Sequence, residues 1–241
     1  WGVNPYVVAA PPEGAGFDTT LTDGLRLAIR DVIGNASAPD ERPLALTRLA
    51  HSLWPGGFHD HWRFVQGPEN HDLVYKGREE RVARLGDPSN PRSWYARSRA
   101  RVATGVSLTA PGIPMLFMGQ EFLEDKQWSD NFESDQNLLL HWAGLEAGDR
   151  QMLDHLRFAR ELMHLRRSRP GLRGQGFRIV HAHDGNRVLA FHRWVPGEGH
   201  DVLVVAHLGN AHRFGYRIGF PGGGRWAEVF NSDVYEQWVN P

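Results

Sequence analysis

Hydrophobic residues recur at helical spacing in four stretches of the chain. The stretches are residues 21–33, 44–53, 93–108 and 150–167, and in each the apolar side chains fall on one face of a helix. Thr19, Thr20 or Thr22 is predicted to cap the first helix, and Gly34-Asn35 to end it. The last stretch has the strongest apolar stripe and stops before Pro170.

Two short apolar runs, at residues 62–66 and 113–118, predict strands, with the helix of residues 93–108 between them. Polar residues follow each run: Glu69-Asn70-His71-Asp72 after the first, and Gly119-Gln120-Glu121 after the second. A strand, a crossover helix and a second strand indicate a parallel pair. Parallel α/β barrels build their active sites at the carboxyl ends of the strands. The two polar segments are therefore predicted to form part of an active site.

The pattern changes to a period of two after residue 176. Strands are predicted at 177–180, 187–194, 201–208, 214–220 and 226–230, with Asp184-Gly185-Asn186 as a hairpin turn. We place a domain boundary near Arg173. Residues 1–172 would be the α/β part, and residues 173–241 a small antiparallel β-domain.

Composition excludes several classes of function. The 241 residues include 27 basic and 28 acidic side chains, for a net charge of -1. This balance does not predict a basic surface that would bind nucleic acid or a membrane. No apolar run approaches the ~20 residues that cross a bilayer. There is no cysteine, so a disulfide, a thiolate nucleophile and a cysteine-ligated zinc are all excluded. A reducing cytoplasm is the expected location.

Asp72 and His71 are the first candidates for chemistry. A carboxylate at a strand end can act as base, as nucleophile or as stabiliser of an oxocarbenium-like transition state, and the imidazole can donate to a sugar hydroxyl. The alternative is that Asp72 caps a turn and that His71 is a solvent-facing loop residue. Metal sites at His59/His61 or His181/His183 lack a third ligand, and no phosphate loop or Gly-x-Ser-x-Gly elbow is present. We expect neither metal nor cofactor.

Four motifs in order resemble the alpha-amylase family of glycosidases and glucanotransferases, most of all the 1,4-alpha-glucan branching enzymes. They are Gly14-Ala15-Gly16-Phe17-Asp18, Glu69-Asn70-His71-Asp72, residues 111–122 and Phe230-Asn231-Ser232-Asp233. The resemblance implies a fold of class α/β, the C-terminal portion of a (β/α)8 TIM barrel followed by a small antiparallel β-sandwich. It implies retaining double displacement on alpha-1,4-glucans such as glycogen and amylose, forming alpha-1,6 branches in glycogen synthesis.

The resemblance also assigns roles to single residues. The family has three catalytic carboxylates: an aspartate nucleophile, a glutamate acid/base and a second aspartate that stabilises the transition state. Asp72 matches this second aspartate, and His71 matches the histidine that binds the same sugar. Glu69, Asn70, Gln120, Glu121 and Trp128 are candidates for substrate binding. The nucleophile and the acid/base belong to earlier strands, and no Arg-x-Asp motif precedes the Gly-Phe-Asp segment here. The chain starts on Trp1 and offers some 170 residues where a barrel needs ~250, so we expect a piece of a longer enzyme that is inactive alone.

Two other functions stay open at the sequence level. Glu-Asn-His-Asp also suits the maltooligosyltrehalose trehalohydrolases, a hydrolytic branch of the same family. The second alternative is a non-catalytic glucan-binding module, since the nine tryptophans offer faces for stacking on sugar rings. The oligomeric state and the length of the transferred chain are not predicted.

Overall fold

The computed structural model describes residues 4–131 and 139–236. Its α-helices are α1 (Gly24–Ala36), α2 (Leu46–Ser52), α3 (Val82–Gly86), α4 (Trp94–Thr109), α5 (Trp142–Glu146), α6 (Arg150–Ser168) and α7 (Pro170–Arg173). Its strands are β1 (Thr20–Leu21), β2 (Phe64–Gln66), β3 (Ile113–Pro114), β4 (Gly176–His183), β5 (Val188–Trp194) and β6 (Val202–His207). Short 3-10 helices cover Pro5–Val8, His61–Arg63, Gln120–Phe122 and Val234–Glu236.

Strands β1, β2 and β3 form a parallel sheet in that order. Thr20 lies opposite Phe64, and Val65 lies opposite Ile113. Helix α4 connects β2 to β3, which confirms the predicted strand, crossover helix and strand. The two polar segments therefore leave the sheet from neighbouring strands at the same edge.

Helix α4 begins where a local hydrogen-bond network caps it. The hydroxyl of Ser93 accepts from the Ala96 amide at 3.1 Å and donates to Asp87 at 2.7 Å. Helix α6 begins in the same way, since the Asp149 carboxylate accepts from the amides of Gln151 and Met152. Side-chain acceptors of this kind satisfy amides that have no partner in the first helical turn. Both predicted helices are confirmed to within a residue.

The predicted start of the first helix was wrong. Thr20 and Leu21 form β1, the N-cap is Asp23, and the helix continues past Gly34-Asn35 to Ala36. Leu21 has an apolar side chain that fits either a strand or a helical stripe, and the hydrogen bonds to β2 decide in favour of the strand.

The strand predicted at 113–118 was too long. Of the predicted strand only Ile113 and Pro114 pair with β2, and Ile113 is 39% exposed, so β3 is a short strand at the edge of the sheet that the described residues form. Pro114 has no amide hydrogen for a further ladder partner. Backbone pairing ends at Met115, whose amide donates to Gln66.

The antiparallel sheet β4-β5-β6 confirms three of the five predicted C-terminal strands. The hairpin turn lies at Asp184, and that carboxylate accepts from the amide and hydroxyl of Thr47 at the start of α2. The strands predicted at 214–220 and 226–230 are wrong, because neither segment forms a strand or pairs within residues 4–131 and 139–236. Phe214 is 93% exposed, and the glycines between 215 and 224 offer little side-chain surface to pack a strand.

The main hydrophobic core joins the antiparallel sheet to the helices. Ile29 of α1, Leu49 of α2 and Phe191 of β5 belong to one buried cluster. The buried guanidinium of Arg193 donates to Thr109 at the end of α4 and to Gly174 and Gly176. The boundary near Arg173 stays a prediction. Within the described residues, no helix is long and apolar enough to cross a membrane.

Candidate functional site

The chain leaves β2 through a close approach of two backbones. A Cβ atom on Gly67 would lie 2.1 Å from the carbonyl oxygen of Met115, in the segment that follows β3. Only glycine fits at such a contact, because any side chain would collide with that backbone. The segments that follow β2 and β3 thus start in direct contact.

A compact turn carries His71 and Asp72 to the surface. The buried Asn70 accepts from the Leu73 amide at 2.9 Å through its side chain and from the Val74 amide at 3.2 Å through its carbonyl. The side chains of His71 and Asp72 are 63% and 43% exposed, and His71 Nε2 lies 3.5 Å from Asp72 Oδ1. Asn70 takes the turn-capping role, so the Asp72 carboxylate stays open to solvent.

The backbone carbonyls of His71 and Asp72 each accept a hydrogen bond from a side chain outside the turn. The indole of Trp128 donates to the carbonyl of His71. Arg78 Nη1 donates to the carbonyl of Asp72 at 3.0 Å. With both carbonyls fixed, the orientation of the turn is set by two independent donors.

Trp128 lies against the turn because its backbone pairs with the segment after Asp72. Its amide donates to Val74 at 3.0 Å, and its carbonyl accepts from Lys76 at 2.8 Å, which forms a bridge opposite Tyr75. The rings of Trp128 and Tyr75 stand nearly perpendicular with centroids 5.5 Å apart. An edge-to-face arrangement of this kind is favourable for aromatic pairs.

A surface cleft of about 240 Å³ opens between these two loops. Its lining residues are His71, Asp72, Tyr75, Arg78, Trp128 and Asp130. The lining combines two carboxylates, a guanidinium and an imidazole with two aromatic rings. Carboxylates and donors of this kind bind hydroxyl groups, and aromatic faces pack on apolar ring surfaces. The cleft is therefore suited to a neutral ligand that is rich in hydroxyls.

A buried ion pair lies beneath the turn. Glu69 and Arg81 are both inaccessible to solvent, with Arg81 Nε 2.9 Å from Glu69 Oε2. Glu69 also accepts from the Val82 amide, and Arg81 Nη2 donates to the carbonyl of Met118 at 2.9 Å. Both members of the pair belong to the segment after β2, and the bond from Arg81 to Met118 connects this segment to the one after β3.

A second buried group lies next to this pair. Gln120 donates to the Thr104 hydroxyl at 3.1 Å, and a cavity of about 10 Å³ touches Glu69, Gln120 and His155. That volume is close to what one water molecule needs. Burial, together with the smaller effect of the nearby charges of Arg101 and Arg92, lowers the pKa of His155 to about 3. His155 is therefore neutral at physiological pH.

The predicted site residues fall into two layers. His71, Asp72 and Trp128 meet at the cleft, whereas Glu69, Asn70 and Gln120 are buried below it. Glu121 is half-buried and does not line the cleft.

Sequence reasoning missed three cleft residues, Tyr75, Arg78 and Asp130. A signal was available, because Asp130 is two residues from Trp128 and residues at that spacing in an extended segment share a face.

The histidine pairs considered for metal take other contacts. His61 bonds to Gln175, and His181 Nε2 lies 2.7 Å from the Tyr216 hydroxyl. Across residues 4–131 and 139–236, no group of three His, Asp or Glu side chains is arranged to hold a metal ion.

Comparison with family models gives one match. Residues 179–240 match the model of the C-terminal all-beta domain of alpha-amylases. Strands β5 and β6 and most of β4 lie in this segment. The antiparallel sheet is thus assigned to a known domain type.

Curated relatives extend the similarity beyond that domain. The chain is 34% identical over 174 residues to the 1,4-alpha-glucan branching enzyme GlgB of Cereibacter sphaeroides, and 36% identical over 174 residues to that of Rhizobium meliloti. Each alignment covers 69% of this chain and 22% of the relative. The aligned part of this chain thus spans about a fifth of the length of these relatives.

Solved structures share the fold at lower identity. A pullulanase from Paenibacillus barengoltzii superimposes with a TM-score of 0.58 at 19% identity, over 79% of this chain and 31% of the pullulanase. An alpha-amylase from H. orenii gives 0.51 at 20% identity, over 80% of this chain and 39% of the amylase. At these identities the similarity concerns the fold alone.

Proposed function

We propose that this chain, which belongs to the alpha-amylase family, is the C-terminal part of a 1,4-alpha-glucan branching enzyme. The family resemblance of its motifs is borne out by the relatives and by the domain match. The observation that carries the proposal is the cleft: Asp72 and His71 lie side by side and exposed, next to Trp128, on a turn whose backbone is fixed.

The proposed architecture is the last part of a (β/α)8 barrel followed by a β-sandwich domain. The parallel order β1-β2-β3 with α4 as the crossover supports the barrel, and the sheet β4-β5-β6 supports the β-domain. In such a barrel the ends of β2 and β3 face the active site. The domain limits are residues 1–172 and 173–241.

Asp72 is proposed to stabilise the transition state. Retaining glycosidases pass through an oxocarbenium-like transition state, which a neighbouring carboxylate stabilises by its negative charge and by hydrogen bonds to ring hydroxyls. The Asp72 carboxylate is accessible, and His71 lies 3.5 Å away as a donor to the same sugar. Fixed backbone carbonyls keep both side chains in place without reorganisation during the reaction.

The buried residues are proposed to position this surface rather than to contact the glucan themselves. Arg81, paired with Glu69, connects the two loops through its bond to Met118, Asn70 shapes the turn, and Gln120 connects the second loop to α4. Trp128 is proposed to contact the acceptor chain. The substrate is an alpha-1,4-glucan such as glycogen or amylose.

The nucleophile and the acid/base are proposed to lie upstream in a longer protein. This chain then carries one of the three carboxylates that the resemblance implies, and we expect it to be inactive on amylose by itself. Measurable turnover by the purified 241-residue chain would contradict this part of the proposal.

Product analysis of the longer protein on amylose tests the proposed function. We expect new alpha-1,6 branch points, detected after debranching as a shift in the chain-length distribution. Release of trehalose from a trehalosyl-capped oligosaccharide would instead assign the chain to a trehalohydrolase. If glycogen in the gel retards the protein during affinity electrophoresis but the protein turns over neither substrate, it is a non-catalytic glucan-binding module.

A further inference from the structure

We infer that Tyr75 and Asp130 bind the glucan directly and hold one glucosyl unit beside Asp72. The inference rests on the proposed function and adds two substrate-binding residues to it. Neither residue belongs to the motifs that carry the family resemblance. Both line the same cleft as Asp72.

Tyr75 and Asp130 form one hydrogen-bonded unit. The tyrosine hydroxyl donates to Asp130 Oδ1 at 2.8 Å, across a sequence separation of 55 residues. The Tyr75 ring is set against Trp128, and Asp130 follows Trp128 by two residues, so the backbone bridge between Tyr75 and Trp128 places both partners. The pair is thus preorganised by the same contacts that orient the His71-Asp72 turn.

The exposure of Tyr75 and Asp130 to solvent argues against a purely structural role for this pair. Asp130 is exposed and Tyr75 is partly exposed, and a hydrogen bond in such a position contributes little to stability. Below this pair, the fully buried Arg81, which is ion-paired with Glu69 of its own segment, donates to the Met118 carbonyl in the segment after β3. The loops therefore have a stronger connection below, and the surface pair is available to a ligand.

The chemistry of the pair fits a sugar unit. A carboxylate accepts several hydrogen bonds, so a sugar hydroxyl can donate to Asp130 beside the tyrosine, and the tyrosine oxygen can accept from a second hydroxyl. Arg78 adds a donor on the same cleft. The cleft has a volume of about 240 Å³, which is smaller than the ~300–1,000 Å³ of sites for drug-sized ligands. This size suits one sugar unit of a longer glucan.

The test uses conservative substitutions in the longer protein that contains this chain. Tyr75→Phe keeps the ring against Trp128 and removes the hydroxyl, and Asp130→Asn keeps the shape and removes the charge. We expect each to raise KM for amylose by about 3- to 10-fold, the effect of losing one hydrogen bond, with kcat within about twofold. The double variant is expected to raise KM by less than the product of the two single effects, since the partners act as a unit.

Tyr95→Phe and Asp31→Asn are matched controls, because both residues lie outside the cleft. These two are expected to leave KM unchanged. If the protein makes branches and the cleft variants keep the KM of the controls, the inference is overturned and the proposed function stands. A fall in kcat at unchanged KM also overturns it. If the wild-type protein acts on no alpha-glucan, both the inference and the proposed function fail.

Discussion

The indole nitrogen of Trp128 donates to the backbone carbonyl of His71. Trp128 belongs to the segment after β3, and His71 belongs to the turn after β2, so one loop fixes the backbone of the other. Arg78, which belongs to the same segment as Asp72, donates to the carbonyl of Asp72. The candidate site therefore depends on contacts between the two loops and within the first one, made by side chains that the family motifs do not include.

Replacing Trp128 with Phe tests this dependence. Phe keeps an aromatic ring in the cleft and removes the donor to His71. We expect kcat/KM on amylose to fall by about 3- to 10-fold in the longer protein, the equivalent of one hydrogen bond. Trp226→Phe is the control, because Trp226 also donates to a backbone carbonyl, that of Gly222, outside the cleft. Equal effects of the two substitutions would mean that the hydrogen bond from Trp128 to His71 has no specific role in the site.

Removal of one partner of the buried Glu69–Arg81 pair is predicted to destabilise the chain strongly. Glu69→Gln leaves a buried guanidinium without its counter-charge, which costs about 3–5 kcal/mol in comparable cases. We expect urea unfolding to show a loss of this size. Arg42→Met in the exposed Asp40–Arg42 pair is the control, and its expected loss is much smaller, because solvent screens an exposed ion pair. If Glu69→Gln costs no more than the control, the buried guanidinium of Arg81 does not depend on Glu69 as described.

His155 predicts a pH dependence of stability. Its pKa is lowered from 6.5 to about 3 in the folded chain, because burial and the charges of Arg101 and Arg92 disfavour the imidazolium. Between these values the unfolded chain binds a proton that the folded chain does not, so stability falls as pH falls. The expected slope from this residue is roughly 1.4 kcal/mol per pH unit.

Urea unfolding between pH 7 and pH 4 measures this slope. His155→Gln is expected to flatten the pH dependence relative to the wild type, whatever its effect at pH 7. His164→Gln, on the exposed face of the same helix α6, should retain the wild-type slope. The account of His155 is contradicted if both variants show the same slope as the wild type.

The parts of the fold that follow from periodicity were predictable from the sequence. Helices α4 and α6 and strands β4 to β6 have long apolar stripes or a clear alternation, and they lie within a few residues of their predicted bounds. The errors occur where local pattern and pairing disagree. Thr20-Leu21 reads as the start of a helix yet pairs with β2, and the segment with Phe214 alternates yet finds no partner strand.

The candidate site was likewise predictable from the sequence only in part. Asp72, His71 and Trp128 stand out by residue type and by their place after apolar runs, and the structure brings them to one cleft. The sequence does not reveal that Glu69 is buried, because its partner Arg81 lies 12 residues further on and nothing in the spacing joins them. Tyr75 and Asp130 meet only through tertiary contact between two loops.

The charge of Asp72 tests the central claim most directly. Asp72→Asn in the longer protein keeps the size of the side chain and removes the negative charge that would stabilise the transition state. We expect the rate of branch formation on amylose to fall by several orders of magnitude, with an unchanged urea midpoint because the side chain is exposed. A branching rate close to that of the wild type would contradict the account and return Asp72 to the role of a solvent-facing turn residue.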